Sequence, residues 1–335
     1  MDVNTTVYVT IAVALLFDII NGFHDAANSI ATVVSTRVLS PRLAVLWATL
    51  FNFLALFIFH QGVANTIAKI VTIEASDHAF VWVVACGLVG AIVWNLLTWW
   101  WGLPSSSSHA LIGGLSGAGI CYKGIGVLNT AKLYPTLEFI LLAPLLGLML
   151  GMIIMVIVYW LFRRSRPRTV DSTFRIGQLI SAALYSLGHG GNDAQKTIGV
   201  IWAVMIAGGW HGAAHGVPYW VIVSSYSAMA FGTALGGQRI IKTMGMGITS
   251  LKPAGGFAAN LAGAITLFGA TSLHVPVSTT HTITGAIVGV GSVTKVRGIR
   301  WGLATRIVWA WIFTIPLAGL VGAGTLYIAR AFHAW

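Results

Sequence analysis

Charged side chains are scarce in this chain of 335 residues. They make up 8% of the sequence, and only eight are acidic, whereas hydrophobic residues make up 57% and the mean hydropathy is +0.84. A soluble domain carries about a quarter charged residues. The shortage excludes a soluble globular domain. It predicts an all-α integral membrane protein, because apolar runs of about twenty residues recur along the whole length.

Cysteine and leader features are also lacking. The two cysteines, Cys86 and Cys121, both lie in apolar segments, so nothing favours a disulfide framework or a cysteine metal site. The N-terminus has no basic region followed by a small-residue cleavage site, and residues 7–20 are therefore predicted to be a retained membrane span. No cofactor and no certain metal site are expected.

The basic residues are numerous enough to give a formal net charge of +11. Assigning the loops alternately to the two sides of a membrane places 14 of the 19 lysines and arginines on one side. By the positive-inside rule that side is cytoplasmic, and both termini are then periplasmic. The basicity is thus explained by topology, and a nucleic-acid partner is not expected. The 14 are Arg37, Arg42, Arg163, Arg164, Arg166, Arg168, Arg175, Arg239, Lys242, Lys252, Lys295, Arg297, Arg300 and Arg306.

Apolar segments are predicted at about 43–67 and 79–101, among others, and their order restarts halfway along the chain. Residues 1–162 and 173–335 are predicted to be two repeats, joined by a basic cytoplasmic linker at 163–172. If each repeat crosses the membrane five times, the two insert with inverted topology. Breaks are expected at 21–25 and 188–193, and the elements at 104–109 and 276–281 could be half-helices or re-entrant hairpins, which gives about 10–12 membrane segments. Inverted repeats with broken helices place the substrate near the midplane.

Two acidic tracts, at residues 22–30 and 190–198, lie 168 residues apart in matching positions of the repeats. A carboxylate inside a membrane is costly and usually functional. Asp25 and Asp193, with Asn28, are therefore predicted to bind a small cation or to carry a proton. The alternative is that each carboxylate only caps a broken helix. Asp18, before the first tract, is interpreted as a structural partner rather than a ligand.

Two Pro-x-Ser-x-[Ser/Thr]-His elements also recur, 172 residues apart. A helix N-terminus presents free N–H groups and a partial positive charge, to which hydroxyls add donors. The elements therefore suit a tetrahedral oxyanion, although ordinary N-capping is the alternative. His109 and His281 could bind the anion, shuttle protons or only brace the helix. The predicted anion donors are Ser106, Ser107, Ser278, Thr279 and Thr280.

These motifs resemble those of the PiT family of inorganic phosphate transporters. The family signature Gly-x-Asn-Asp-x-x-Asn/Lys matches residues 22–28, with His24 in place of Asn, and residues 190–196; residues 236–245 match a further family motif. The resemblance implies secondary uptake of phosphate with a cation across a bacterial inner membrane, by alternating access, on a broken-helix fold that is often a homodimer in the lipid bilayer. It implies a transporter rather than an enzyme.

The informative departure is Lys196, because sodium-coupled members of the family generally have Asn at that position. An ammonium has no lone pair and cannot bind Na⁺, but it could replace a cation, neutralise Asp193 or contact phosphate. The pattern resembles proton-coupled members that carry metal-phosphate complexes. We therefore expect co-transport of H⁺, with Na⁺ as the alternative and Mg²⁺ or another divalent metal accompanying phosphate. A sulfate permease, an intramembrane Ser/His hydrolase and a passive channel are the rival interpretations.

Overall fold

The fold is almost entirely helical. The computed structural model describes residues 3–72, 79–236, 240–241, 243–244 and 248–332. Within these ranges the extended chain forms one isolated antiparallel bridge, between Val71 and Leu128. Half of the family motif at 236–245 lies outside the described residues, including Arg239 and Lys242.

The helices follow the segments expected from the sequence. They are α1 (Val3–Ser35), α2 (Pro41–Leu54), α3 (Gly62–Ala68), α4 (Ala79–Trp101), α5 (Ser107–Lys123), α6 (Thr130–Phe162), α7 (Pro167–Ala207), α8 (Tyr219–Leu235), α9 (Pro253–Ser272), α10 (Thr279–Lys295) and α11 (Trp301–Ala331). The predicted linker is helical from Pro167, so the connection between α6 and α7 narrows to residues 163–166.

Five of the described helices are long and apolar enough to cross a bilayer, namely α1, α4, α6, α9 and α11. The segment from α2 to α3 would add a sixth, because its two parts together are long and apolar enough to cross. The chain bends by 87° between them. The prediction of an all-α integral membrane protein is thus confirmed. The count of 10–12 membrane segments stays a prediction.

Broken helices are present, but the predicted positions were wrong. Helix α1 runs without interruption through residues 21–25, and α7 runs through residues 188–193. The break falls instead between α2 and α3, in a segment predicted to be one span. Extended residues also precede α5 and α10, which begin inside the protein as half-helices.

The glycines taken for helix breaks serve close helix packing. A Cβ on Gly22 would lie 2.2 Å from the carbonyl oxygen of Met229 on α8, and a Cβ on Gly190 would lie 2.4 Å from that of Asn52 on α2. Both distances are far below van der Waals contact. Glycine at these positions therefore allows α1 to pack on α8, and α7 on α2, backbone against backbone.

Replacing Gly22 with alanine should destabilise the protein by about 1–3 kcal/mol, the usual cost of overpacking a close contact. The matched control is Gly269→Ala, also inside a helix, where an added Cβ meets nothing within 4 Å. That control should be neutral or stabilising by about 1 kcal/mol or less. Thermal unfolding of the purified variants in detergent measures both changes, and equal midpoints would contradict the packing role.

Helix packing is duplicated between the halves. Helix α1 packs on α4 and α8, and α7 packs correspondingly on α9 and α2. Helix α5 packs on α4 and on α11 of the other half, just as α10 packs on α9 and on α6. This pattern is the one expected of two halves related by a pseudo-two-fold axis. The half-helices are therefore each covered by a long helix of the opposite half.

Two apolar clusters enclose a polar layer. One contains Ala14 and Phe17 of α1 with Ala194 and Ile198 of α7. The other contains Ala27 and Ile30 of α1 together with residues of α6, α7, α9 and α10. The acidic tracts and the first turns of α5 and α10 lie between these clusters, where bulk water does not reach.

Candidate functional site

The half-helices α5 and α10 begin with the same local structure. Ser106 precedes α5 in an extended conformation, and its Oγ accepts a hydrogen bond from the backbone N–H of His109 at 3.3 Å. Ser278 does the same for His281 at 3.2 Å. Both serines, predicted as anion donors, thus act as N-caps. Each hydroxyl keeps its own proton for a further partner.

The two helix starts meet in the middle of the protein. The rings of His109 and His281 lie 4.5 Å apart, centroid to centroid. Ser108 on α5 donates its hydroxyl to the backbone carbonyl of Val277, just before α10, at 3.1 Å. The positive ends of two helices from opposite halves therefore converge, which is the arrangement predicted for an anion site.

Asp25 lies between these helix starts and accepts hydrogen bonds from both. Ser107 Oγ donates to Oδ2 at 2.7 Å, and Thr280 Oγ1 donates to Oδ1 at 3.4 Å. The ring of His24 contacts Oδ1 through Nδ1 at 2.8 Å. The carboxylate is buried, so these bonds offset part of its desolvation cost.

Asn28 links α1 to the second helix start. Its Nδ2 donates to Thr280 Oγ1 at 2.8 Å and to Thr279 Oγ1 at 3.4 Å. Because these hydroxyls accept from the amide, each is left with its proton to donate elsewhere. Asn28, Asp25 and the two threonines thus form one network, as the grouping of the tracts with the Ser/Thr elements predicted.

Lys196 forms the corresponding network on α7. Its Nζ donates to Asp193 Oδ1 at 2.5 Å and also to Ser108 Oγ. Both charged side chains are fully buried. Of the roles considered for Lys196, neutralising Asp193 is the one seen here. The contact with Ser108 also brings the ammonium to the first turn of α5.

The two acidic tracts meet inside the protein. Ligand atoms of Asp25, His189 and Asp193 lie within 4.8 Å of one another, all buried. Two carboxylates and an imidazole at this spacing can hold a small cation or share a proton. His189 directly precedes the second tract, and its position adds it to the candidate site.

The substitution of His24 for the signature Asn has a structural reason. On α7, Asn192 Nδ2 donates to Thr271 Oγ1 of α9 at 3.0 Å, and its Oδ1 accepts from the N–H of Val277 at 3.1 Å. On α1, the ring of His24 contacts Thr98 Oγ1 of α4 at 3.1 Å and Ser105 Oγ at 3.3 Å. Both side chains therefore tie an acidic tract to the segment that leads into a half-helix.

Ser108 is the site residue that sequence reasoning missed. It lies inside the Pro-x-Ser-x-[Ser/Thr]-His element of the first half, at the position that Thr280 has in the second. Its two contacts, to Lys196 and Val277, join residues far apart in the chain. The signal that could have found it is the run of four serines before His109.

His109 and His281 are placed by packing rather than by a hydrogen-bonded relay. The His281 ring lies 3.8 Å from Trp311 of α11, centroid to centroid. Neither of its ring nitrogens has a hydrogen-bond partner among the described residues. Of the three roles left open for these histidines, bracing the helix starts is the one supported by these contacts.

Comparison with known proteins agrees with this geometry. The phosphate transporter family matches residues 21–322. A protein of Rhizobium meliloti (strain 1021) described as a "probable low-affinity inorganic phosphate transporter" is 52% identical over 319 residues, 93% of each chain. One of Bacillus subtilis (strain 168) with the same description is 43% identical over 330 residues, 98% of each chain.

The fold has a solved counterpart. A structure titled "The sodium-dependent phosphate transporter" superposes with a TM-score of 0.89 at 22% identity and covers 98% of this chain and 99% of its own. The relatives are transporters, and Ser107 donates to a carboxylate rather than to a histidine. The hydrolase interpretation is therefore excluded. From the match at residues 21–322 and the identity to these relatives, the chain belongs to the phosphate transporter family.

Proposed function

We propose that this protein imports inorganic phosphate by symport with a monovalent cation, through alternating access of a site near the membrane midplane. The observation that carries the proposal is the shared use of donors at Asp25. Ser107 from one half and Thr280 from the other both donate to this single carboxylate. Both hydroxyls lie in the first turn of a half-helix.

Phosphate and Asp25 would compete for the same hydroxyl protons. A cation or proton on Asp25 weakens the carboxylate as an acceptor, because it neutralises the charge that holds the hydroxyls. Ser107 and Thr280 can then turn toward a phosphate at the ends of α5 and α10. Binding of the cation thus favours binding of the anion, and the reverse follows by linkage. This reciprocity is the basis of symport.

Lys196 supports protons as the coupling ion. Its ammonium occupies the place that Asn28 has in the first half, and it already bonds Asp193 and Ser108. A fixed positive charge there would replace one bound cation and provide a hydrogen-bond donor for phosphate. The remaining carboxylate, Asp25, would accept the transported proton. The transport test below also examines whether phosphate is carried alone or with Mg²⁺.

The duplicated packing supports alternating access. Helices α5 and α10 start at one place but are covered by α11 and α6 of opposite halves. If the halves are inserted with inverted topology, motion of one against the other would open the helix starts first to the periplasm and then to the cytoplasm. The basic loops on one side support that orientation.

Uptake of labelled phosphate by proteoliposomes tests the proposal. An inward proton gradient without Na⁺ should drive accumulation above the external concentration, which a passive channel cannot do. Excess sulfate should not compete, because monoprotonated phosphate can donate to a buried carboxylate and sulfate cannot. Chelation of Mg²⁺ should lower uptake if the complex is carried. Uptake driven by a Na⁺ gradient alone would overturn proton coupling, and no uptake under any gradient would overturn phosphate symport.

A further inference from the structure

Asp18 is a buried carboxylate that the proposed phosphate site does not use. It is fully buried on α1, and neither of its oxygens accepts a hydrogen bond from any described residue. The sequence interpretation of Asp18 as a structural partner stays a prediction. An unpaired carboxylate in a water-excluded site needs a cation or a proton.

Neutral oxygen-bearing side chains surround this carboxylate. Asn21 of the same helix and Thr197 of α7 face it, and Tyr226 of α8 lies close enough to interact with its charge. All three are at least nine-tenths buried. The polar side-chain atoms of all three have no hydrogen-bond partner among the described residues. One carboxylate thus lies beside three buried neutral side chains whose oxygens are free of hydrogen bonds among the described residues.

The pocket is separate from the phosphate site. Asp18 lies seven residues before Asp25, a distance of about 10 Å along the helix. The charged groups that face it are Asp193 and Lys196 of α7, together with the titratable Tyr226 of α8. Lys196 points instead to Asp193 and Ser108. It therefore stands between the Asp18 pocket and the converging helix starts.

Charge balance also requires a cation. The buried interior holds three carboxylates, on Asp18, Asp25 and Asp193, and among the described residues one ammonium, on Lys196. The position 168 residues after Asp18 is Ser186, a neutral side chain. Among these four buried groups, Asp18 and Lys196 are thus the two whose counterpart position is neutral. Lys196 already pairs with Asp193, so no ammonium among the described residues is left to pair with Asp18.

We propose that Asp18, Asn21, Thr197 and Tyr226 form a second cation site that binds one monovalent cation, Na⁺ or H⁺. A single carboxylate with neutral oxygens suits one positive charge, whereas divalent cations in proteins are held by several charged oxygen ligands. The proposal rests on the proposed function, because a cation bound here would act on phosphate through Lys196. The proposal assigns to Asp18 a cation-binding step that is separate from Asp25.

The test uses the full chain in nanodiscs without phosphate. Thermal unfolding is followed while Na⁺ replaces choline at constant pH, and separately while pH is lowered without Na⁺. The comparison is between Asp25→Asn and the double variant Asp18→Asn/Asp25→Asn, so that the response of Asp25 is removed from both. We expect the single variant to be stabilised by one of the two cations and the double variant to show no such response. A response to Na⁺ identifies sodium, and one to pH alone identifies the proton.

Equal cation responses in the two variants would overturn the proposal. If the double variant is not monodisperse, Thr197→Val in the Asp25→Asn background replaces it, because valine keeps the shape of threonine without the hydroxyl. It should weaken the apparent cation affinity about tenfold, the effect of one bond to a charged group, and an unchanged affinity would again overturn it. Failure of the proposed function differs, since wild-type protein would then lack phosphate uptake whatever the cation response.

Discussion

Asp25→Asn should reduce phosphate uptake by about two orders of magnitude or more, to the level of protein-free vesicles, while the protein stays folded. Ser107 and Thr280 donate to different oxygens of this side chain. In the variant the amide oxygen can still accept one of these bonds, and the other hydroxyl can rotate to accept from the amide NH2. The amide cannot bind the proton or cation of coupled transport. The coupling free energy between two ligands is typically about 1–3 kcal/mol. Without that coupling the cation gradient cannot drive phosphate uptake. The buried amide leaves no counter-charge unpaired. Radiolabelled uptake and size-exclusion profiles measure the two effects.

The matched control for this variant is Asp171→Asn. Asp171 lies on α7 but is half exposed, and its carboxylate bonds Arg175 at 2.9 Å. An exposed ion pair of this kind contributes about 0–1 kcal/mol. Uptake by Asp171→Asn should therefore match the wild-type rate. Wild-type uptake by Asp25→Asn would remove Asp25 from the coupling mechanism.

Asp193→Asn should abolish uptake as well, but it should also destabilise the protein by about 3–5 kcal/mol. Replacing this carboxylate by an amide leaves the Lys196 ammonium buried without its paired charge, although the amide oxygen and the Ser108 hydroxyl can still accept its hydrogen bonds. An uncompensated buried charge is one of the few causes of so large a loss. The two aspartates occupy matching positions in the repeats, yet the consequences of their removal should differ because only one has a lysine.

The double variant Asp193→Asn/Lys196→Met separates the two effects. Methionine removes the ammonium with little change in length, so the stability lost in Asp193→Asn should be partly recovered. Transport should not be recovered, because the variant has lost both members of the network. Unfolding midpoints of the two single variants and the double variant form a thermodynamic cycle. Purely additive losses of stability would show that the ion pair contributes nothing.

Much of the fold was predictable because membrane helices are specified by local composition. The segment predicted at 79–101 coincides with α4, and the Ser/Thr elements do open half-helices. Helix breaks were mispredicted because glycine has two uses that a single sequence does not separate. At Gly22 and Gly190 it serves close packing between helices distant in the chain. Only the partner helix distinguishes that use from a break.

The site was predictable as a set of residues but not as a set of contacts. Duplicated motifs identified Asp25, Asp193 and the hydroxyl residues, because charge and donors in an apolar chain require a reason. Which hydroxyl meets which carboxylate depends on how the halves face each other. The bonds from Ser107 and Thr280 to Asp25 span 82 and 255 residues. No local pattern encodes such pairings.

The exchange of covering helices between the halves has a consequence for how the protein is made. Helix α5 packs on α11, and α6 packs on α10, so the first half leaves the ribosome with its polar helix start uncovered. Helix α11, which covers it, is synthesised only after more than half of the chain has followed. Neither half contains a complete site, and each half-helix is covered only once the opposite half is present. We therefore expect that neither half folds into a stable unit when it is expressed alone.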